Sequence, residues 1–123
     1  MPSFSKTSAD RLATCHPDLQ LLLTIAIRDA DFSVLCGHRS DEEQEAAYAS
    51  GASKARAGQS AHNSLPSRAV DIAPYPIDWE DRERFYRLIG RIEQIADQLG
   101  VEITWGGDFE SLSDLPHIEL KGA

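Results

Sequence analysis

The chain has 123 residues, enough for one domain with a real core and too few for a second, so residues 1–123 read as a single domain. Lys and Arg number 12 against 20 Asp and Glu, a formal charge of −8, which argues against a nucleic-acid backbone or an anionic membrane as partner. Cys15 and Cys36 lack any metal-type pair spacing and sit among apolar residues; both read as buried thiols, with a disulfide between them left open.

The N-terminus MPSFSKTSAD lacks the charged start and apolar core of a Sec signal peptide, so the protein is expected in the cytosol on synthesis. The longest apolar run, LQLLLTIAI, is too short to span a bilayer, and no membrane insertion is expected. HPDLQLLLTIAIRDA predicts a helix from Pro17, with Leu19, Leu22, Leu23 and Ala26 at helical spacing. FSVLCG, residues 32–37, predicts a strand. Ser40 and Glu43 form a capping box for a helix over DEEQEAAYAS that Gly51 stops. Residues 51–67 predict a long loop, and a loop of that length in a compact domain is usually functional or disordered. A strand at 68–73 and a Pro-bracketed turn at 74–78 follow. The clearest helix is WEDRERFYRLIGRIEQIADQLG, whose stripe is Phe85, Leu88, Ile89, Ile92, Ile95, Ala96 and Leu99, with Gly100 as its end. VEITW reads as a short strand, GGDFESLSD as a loop and HIEL as a last strand. This order, with few strands and no regular alternation, is that of a small α+β domain.

Asp71 lies inside the apolar run Ala69-Val70-Asp71-Ile72-Ala73, and a buried carboxylate needs a compensating partner. Strand alternation puts Asp71 on the face opposite Val70 and Ile72, and puts His117 and Glu119 opposite Ile118 and Leu120. His62 sits on the loop that leads to Asp71. Two imidazoles and one carboxylate make a catalytic zinc set with a position left for water. Spacing alone leaves His16 and His38 as rival ligands; His16 reads as a cap residue before Pro17, and His38 follows a strand end. Asp114, three residues before His117, suits a proton acceptor near a metal, or one more acid on an acidic surface. Arg39 suits a developing oxyanion or a substrate carboxylate, or equally a surface ion pair with the acids at 41–45.

The stretches GHRSDEEQEAAYASGASKARAGQSAHNSLPSRAVDIAPYP and WGGDFESLSDLPHIEL resemble the zinc D-alanyl-D-alanine carboxypeptidase and L-alanyl-D-glutamate endopeptidase family, which includes phage endolysins. The resemblance covers roughly residues 15–120 as an ordered series of motifs. It implies the small Hedgehog/DD-peptidase-like α+β fold, with helices packed on a small antiparallel sheet. Ser60-Ala61-His62, Ala69-Val70-Asp71 and Asp114-Leu115-Pro116-His117 match its Ser-x-His, Ala-x-Asp and acid-x-x-His motifs. By that match His62, Asp71 and His117 would bind one Zn2+ per chain. Asp114 would be the general base and Arg39 the electrostatic partner of the transition state. Ser60 would line the substrate cleft or support the ligand loop. The eight residues NSLPSRAV between His62 and Asp71 exceed the family's commonest spacing, which bears on the cleft's shape more than on the metal.

The resemblance thus implies a zinc metallopeptidase acting on the stem peptides of bacterial peptidoglycan, as an L-Ala-D-Glu endopeptidase or a D-Ala-D-Ala carboxypeptidase; a monomer is the expected state, though the sequence does not decide it. Such an endolysin acts on the cell wall after release from the cytosol. Two rivals stand beside it: a non-catalytic wall-binding or phage structural module that kept the metal fold, and a metal-dependent hydrolase of another substrate. Asp114 speaks against the first, because a binder needs no base.

Overall fold

The computed structural model describes residues 2–108 and 114–122. Four helices and four strands run in the order α1 (Lys6–Leu12), α2 (Pro17–Ala26), β1 (Phe32–Cys36), α3 (Asp41–Ala49), β2 (Ala69–Pro74), α4 (Arg82–Leu99), β3 (Ile103–Trp105) and β4 (His117–Leu120). The strands form one antiparallel sheet in the order β1-β2-β4-β3. The α+β expectation therefore holds. Residues 109–113 of the expected loop after β3 lie outside the described residues.

Helix ends follow the local chemistry. Ser40 accepts from the Glu43 amide while the Glu43 carboxylate accepts from the Ser40 amide, the reciprocal box expected for α3. Pro17 opens α2 behind His16, whose ring accepts from the Asp18 amide. Gly100 closes α4 at φ 73°, a left-handed conformation that a side chain would strain. The α4 stripe is buried from Phe85 to Ala96 as expected, but Leu99, the last residue of the helix, is 36 % exposed.

Helix α1 was not expected, since its seven residues carry too little apolar periodicity to announce it. Its function in the fold is to close an edge. β1 is an edge strand, and an edge exposes unpaired backbone groups. Ser8 accepts from the Val34 amide at 3.0 Å, and Arg11 donates to the Val34 carbonyl at 3.1 Å. Gly37 continues this tight approach: a Cβ there would lie 2.4 Å from the Arg11 carbonyl oxygen.

The core lies between one face of the sheet and helices α2 and α4. Val34, Val70, Ile72, Ile118 and Leu120 meet Leu19, Leu22, Leu23, Leu88, Ile89 and Ile92 there. Each such side chain contributes about 1.5–3 kcal/mol by leaving water. With one face committed to the core, the other face of β2 and β4 is left to Asp71, His117 and Glu119.

Candidate metal centre

Asp71 and His117 are cross-strand partners in the β2–β4 register. The third group arrives from a short 3-10 turn, Ala61–Asn63. Ser60 caps that turn by accepting from the His62 amide at 3.2 Å, and Asn63 accepts from the Ser60 amide at 3.0 Å. The Arg39 amide donates to the His62 carbonyl at 2.8 Å, and Asn63 donates to the Arg39 carbonyl at 3.0 Å. The turn is thus tied to the chain that leaves β1. Ser60 lines the cleft and also caps the histidine turn.

The hydrogen bonds fix which ring nitrogens face inward. His62 Nδ1 lies 2.7 Å from the Gly37 carbonyl oxygen, which can only accept, so Nδ1 carries the proton. His62 Nε2, buried and 3.3 Å from Asp71 Oδ1, is then the nitrogen that can offer a lone pair to a cation or hold a proton towards that carboxylate. His117 Nε2 lies 2.8 Å from Glu119 Oε1, and its Nδ1 lies 3.2 Å from the same Asp71 Oδ1. Two imidazole nitrogens and a carboxylate oxygen converge while their far sides are held by acceptors. That is the outer-shell arrangement of metal-binding histidines. Without a cation or a proton between them, lone pairs would oppose a carboxylate, so this donor set fits a divalent metal.

The metal-free charge pattern agrees. Burial opposes a charged His62, but hydrogen bonding to Asp71 and Cys36 and the Asp71 charge overcome it and raise its pKa to about 10. Burial likewise opposes ionised Asp71, yet hydrogen bonds from His117 and His62 hold its pKa well below the usual carboxylate range. His117 is raised, burial being outweighed by the hydrogen bond and charge of Asp71. The His62 and Asp71 shifts mark the same demand for positive charge beside Asp71 that a bound cation would meet.

Cys36 corrects the expectation of a buried core thiol. β1 is irregular between Val34 and Cys36: Val34 pairs with Ile72 on the core face, and Cys36 pairs with Asp71 on the other. The extra residue, Leu35, reverses the strand's parity. Cys36 is consequently only partly buried, and its sulfur, His62 and Asp71 offer donor atoms within 4.8 Å of one another. Cys15 is buried; both thiols are free. Burial raises the Cys15 pKa to about 11.

Arg39 reaches this cluster rather than the acids at 41–45. Its guanidinium donates to Gln44 Oε1 at 2.9 Å and to the Cys36 sulfur at 3.6 Å, and lies 3.8 Å from Asp71 Oδ2. Gln44 was not singled out in the sequence, although it is fully buried on α3. It also donates to Ser53 Oγ at 2.9 Å and to the Ala55 carbonyl at 2.7 Å. A glutamine in an acidic helix carries no local signal of that role. Asp114 stands at the entry to β4, its amide bonded to the Gly106 carbonyl. Its pKa is raised, by burial first and by the Asp71 charge second. His16 stays a cap, and His38 Nδ1 lies 3.0 Å from the Ser64 carbonyl oxygen; neither joins the cluster.

His62, Asp71, His117, Arg39, Asp114 and Ser60 all line one cleft of about 340 Å³, together with Lys54 and Trp79. Trp79 stacks on Phe85 with ring centroids 5.7 Å apart, which fixes that wall to α4.

Similarity to known proteins follows the same lines. The family of phage L-alanyl-D-glutamate peptidases matches residues 2–122. The L-alanyl-D-glutamate peptidase of Escherichia phage T5 is 32 % identical, over 96 % of this chain and 88 % of that protein. The crystal structure of the Serratia marcescens L-Ala D-Glu endopeptidase ChiX superposes with a TM-score of 0.81 at 29 % identity, covering 96 % of this chain and 90 % of that one. With the family matched over residues 2–122 and a relative 32 % identical over nearly the whole chain, the chain belongs to the phage L-alanyl-D-glutamate peptidase family.

Proposed function

We propose that this chain is a zinc-dependent endopeptidase that cuts the bond between L-alanine and D-glutamate in peptidoglycan stem peptides. Residues 1–123 form one monomeric peptidase domain with one zinc, held by His62, Asp71 and His117. It works as an endolysin, reaching the wall after release from the cytosol. The observation that carries this reading is the convergence of His62 Nε2 and His117 Nδ1 on one oxygen of Asp71, at 3.3 Å and 3.2 Å. The relatives, all L-Ala-D-Glu peptidases by name, favour that bond over the D-Ala-D-Ala bond.

Zinc, when bound, supplies Lewis acidity and a water of lowered pKa. Asp114 takes the proton from the attacking water and returns it to the departing amine of D-glutamate. A carboxyl raised towards working pH by burial suits both transfers. Arg39, held by Gln44, presents a fixed positive charge to the oxygen of the scissile carbonyl as it becomes negative. Glu119 holds the His117 ring by accepting from Nε2, and the Gly37 carbonyl does the same for His62.

Mass spectrometry of purified peptidoglycan after digestion tests the assignment. The expected products end in L-alanine on one side and begin with D-glutamate on the other. Loss of a terminal D-alanine as the sole change would assign a carboxypeptidase instead, and intact stem peptides would leave only a binding module.

A further inference from the structure

Lys54 lines the metal cleft, and among the described residues its ammonium makes no ion pair or hydrogen bond. The other cleft cation, Arg39, is already committed to Gln44, Cys36 and Asp71. Lys54 does not sit on a loose tip. The Ser53 amide donates to the Ala47 carbonyl at 3.1 Å, and Ser53 Oγ accepts from Gln44 at 2.9 Å and from the Ala55 amide at 3.1 Å. Gln44 holds the Ala55 carbonyl as well, at 2.7 Å. The residues on both sides of Lys54 are therefore pinned to α3 by a fully buried side chain, so the Lys54 side chain leaves the rim of the cleft from a fixed stretch of backbone. Among the described residues this exposed cation at the edge of the reaction centre has no protein anion as partner, and it is open to an anion brought by the substrate.

The substrate has one, on the reading given above, upon which this inference rests. D-glutamate gives its amine to the scissile amide and carries two carboxyl groups. A linear stem uses one of them to continue the chain. The other stays next to the scissile bond as an anion, unless it has been converted to an amide. We propose that Lys54 binds this free carboxylate and makes the enzyme select stem peptides that carry it over those bearing the carboxamide. An ammonium–carboxylate hydrogen bond is about twice as strong as its neutral counterpart, and the amide lacks the charge that makes it so.

Two synthetic stem peptides that differ only in that group, carboxylate or carboxamide, test the idea. The wild type is expected to cleave the carboxylate peptide with about tenfold higher kcat/KM. Lys54→Met should lose most of that preference by slowing on the carboxylate peptide, and Lys54→Arg should retain part of it. Zinc content and melting temperature establish that both variants are folded and loaded. Equal cleavage of the two peptides by the wild type would overturn the inference. So would a Lys54→Met variant that slows on both by the same factor, since Lys54 would then serve general attraction only. Failure of the wild type to cut either peptide between L-alanine and D-glutamate would remove the functional reading itself, and this inference with it.

Discussion

At the scale of single residues, the proposed mechanism separates catalysis from metal binding at Asp114. It is raised in pKa by burial and by the Asp71 charge, yet it is not one of the three groups that converge. Asp114→Ala is expected to stay folded and keep its zinc while losing roughly 10²–10⁴ in rate, read as new amino termini released from cell walls. Asp114→Glu should retain more. Wild-type cleavage matched by Asp114→Ala would end the role of base. The ligand set is tested separately. His62→Ala and His117→Ala should each lose the metal, measured as zinc per chain, whereas His16→Ala and His38→Ala should keep it. Cys36→Ala should keep it too, because the Cys36 sulfur is already engaged by Arg39 at 3.6 Å. Zinc lost in Cys36→Ala but kept in His117→Ala would move the site to the thiolate set.

At the scale of elements, α3 is the organiser of the cleft. Its capping box fixes where it starts, and that start decides where Gln44 points. One turn in, Gln44 serves Arg39, Ser53 and the Ala55 carbonyl together. Gln44→Leu preserves bulk but strips the partly buried Ala55 carbonyl and the Arg39 guanidinium of their partner, at about 1–3 kcal/mol of stability. Calorimetry should show that loss. Activity should fall further than stability accounts for, since Arg39 and the Lys54 segment lose their common anchor. Gln44→Glu, which keeps an acceptor for Arg39 but no donor for Ser53 or Ala55, should recover part of the rate. Unchanged activity in Gln44→Leu would mean that Arg39 needs no such support.

At the scale of the whole molecule, the cluster couples stability to pH and to metal. His62 rises from 6.5 to about 10 on folding without metal. A raised pKa stabilises the fold fully below the unfolded value of 6.5, and that contribution is lost as pH climbs to about 10. Asp71 is lowered, so its contribution is fully present above its unfolded value of 3.8 and is lost as pH falls from there through the lower folded value. Chelator-treated protein should therefore melt highest in mildly acidic buffer and progressively lower from pH 6.5 upwards. Zinc affinity should run the opposite way, rising with pH as the metal displaces protons. A metal-free melting temperature that stays flat over the same pH range would contradict the protonated His62–Asp71 pair.

Much of this was legible along the chain, and for a physical reason. Alternation in a strand is local, so the placing of Asp71, His117 and Glu119 opposite the core followed from their neighbours alone. Capping at Ser40 and the α4 stripe are equally local, being set by contacts three or four residues apart. The family resemblance named the fold and the bond class because its motifs are short and ordered. What escaped was decided between distant segments. The irregularity at Leu35 turned Cys36 from the core to Asp71, and a parity change cannot be seen until the partner strand is in place. α1 earned its helix by satisfying the β1 edge, not by its own periodicity. Lys54 and Trp79 became parts of one cleft, with Gln44 buried beneath its rim, only when α3, the 51–67 loop and the turn before α4 closed around the sheet, since each side chain's local sequence is equally at home on an ordinary surface.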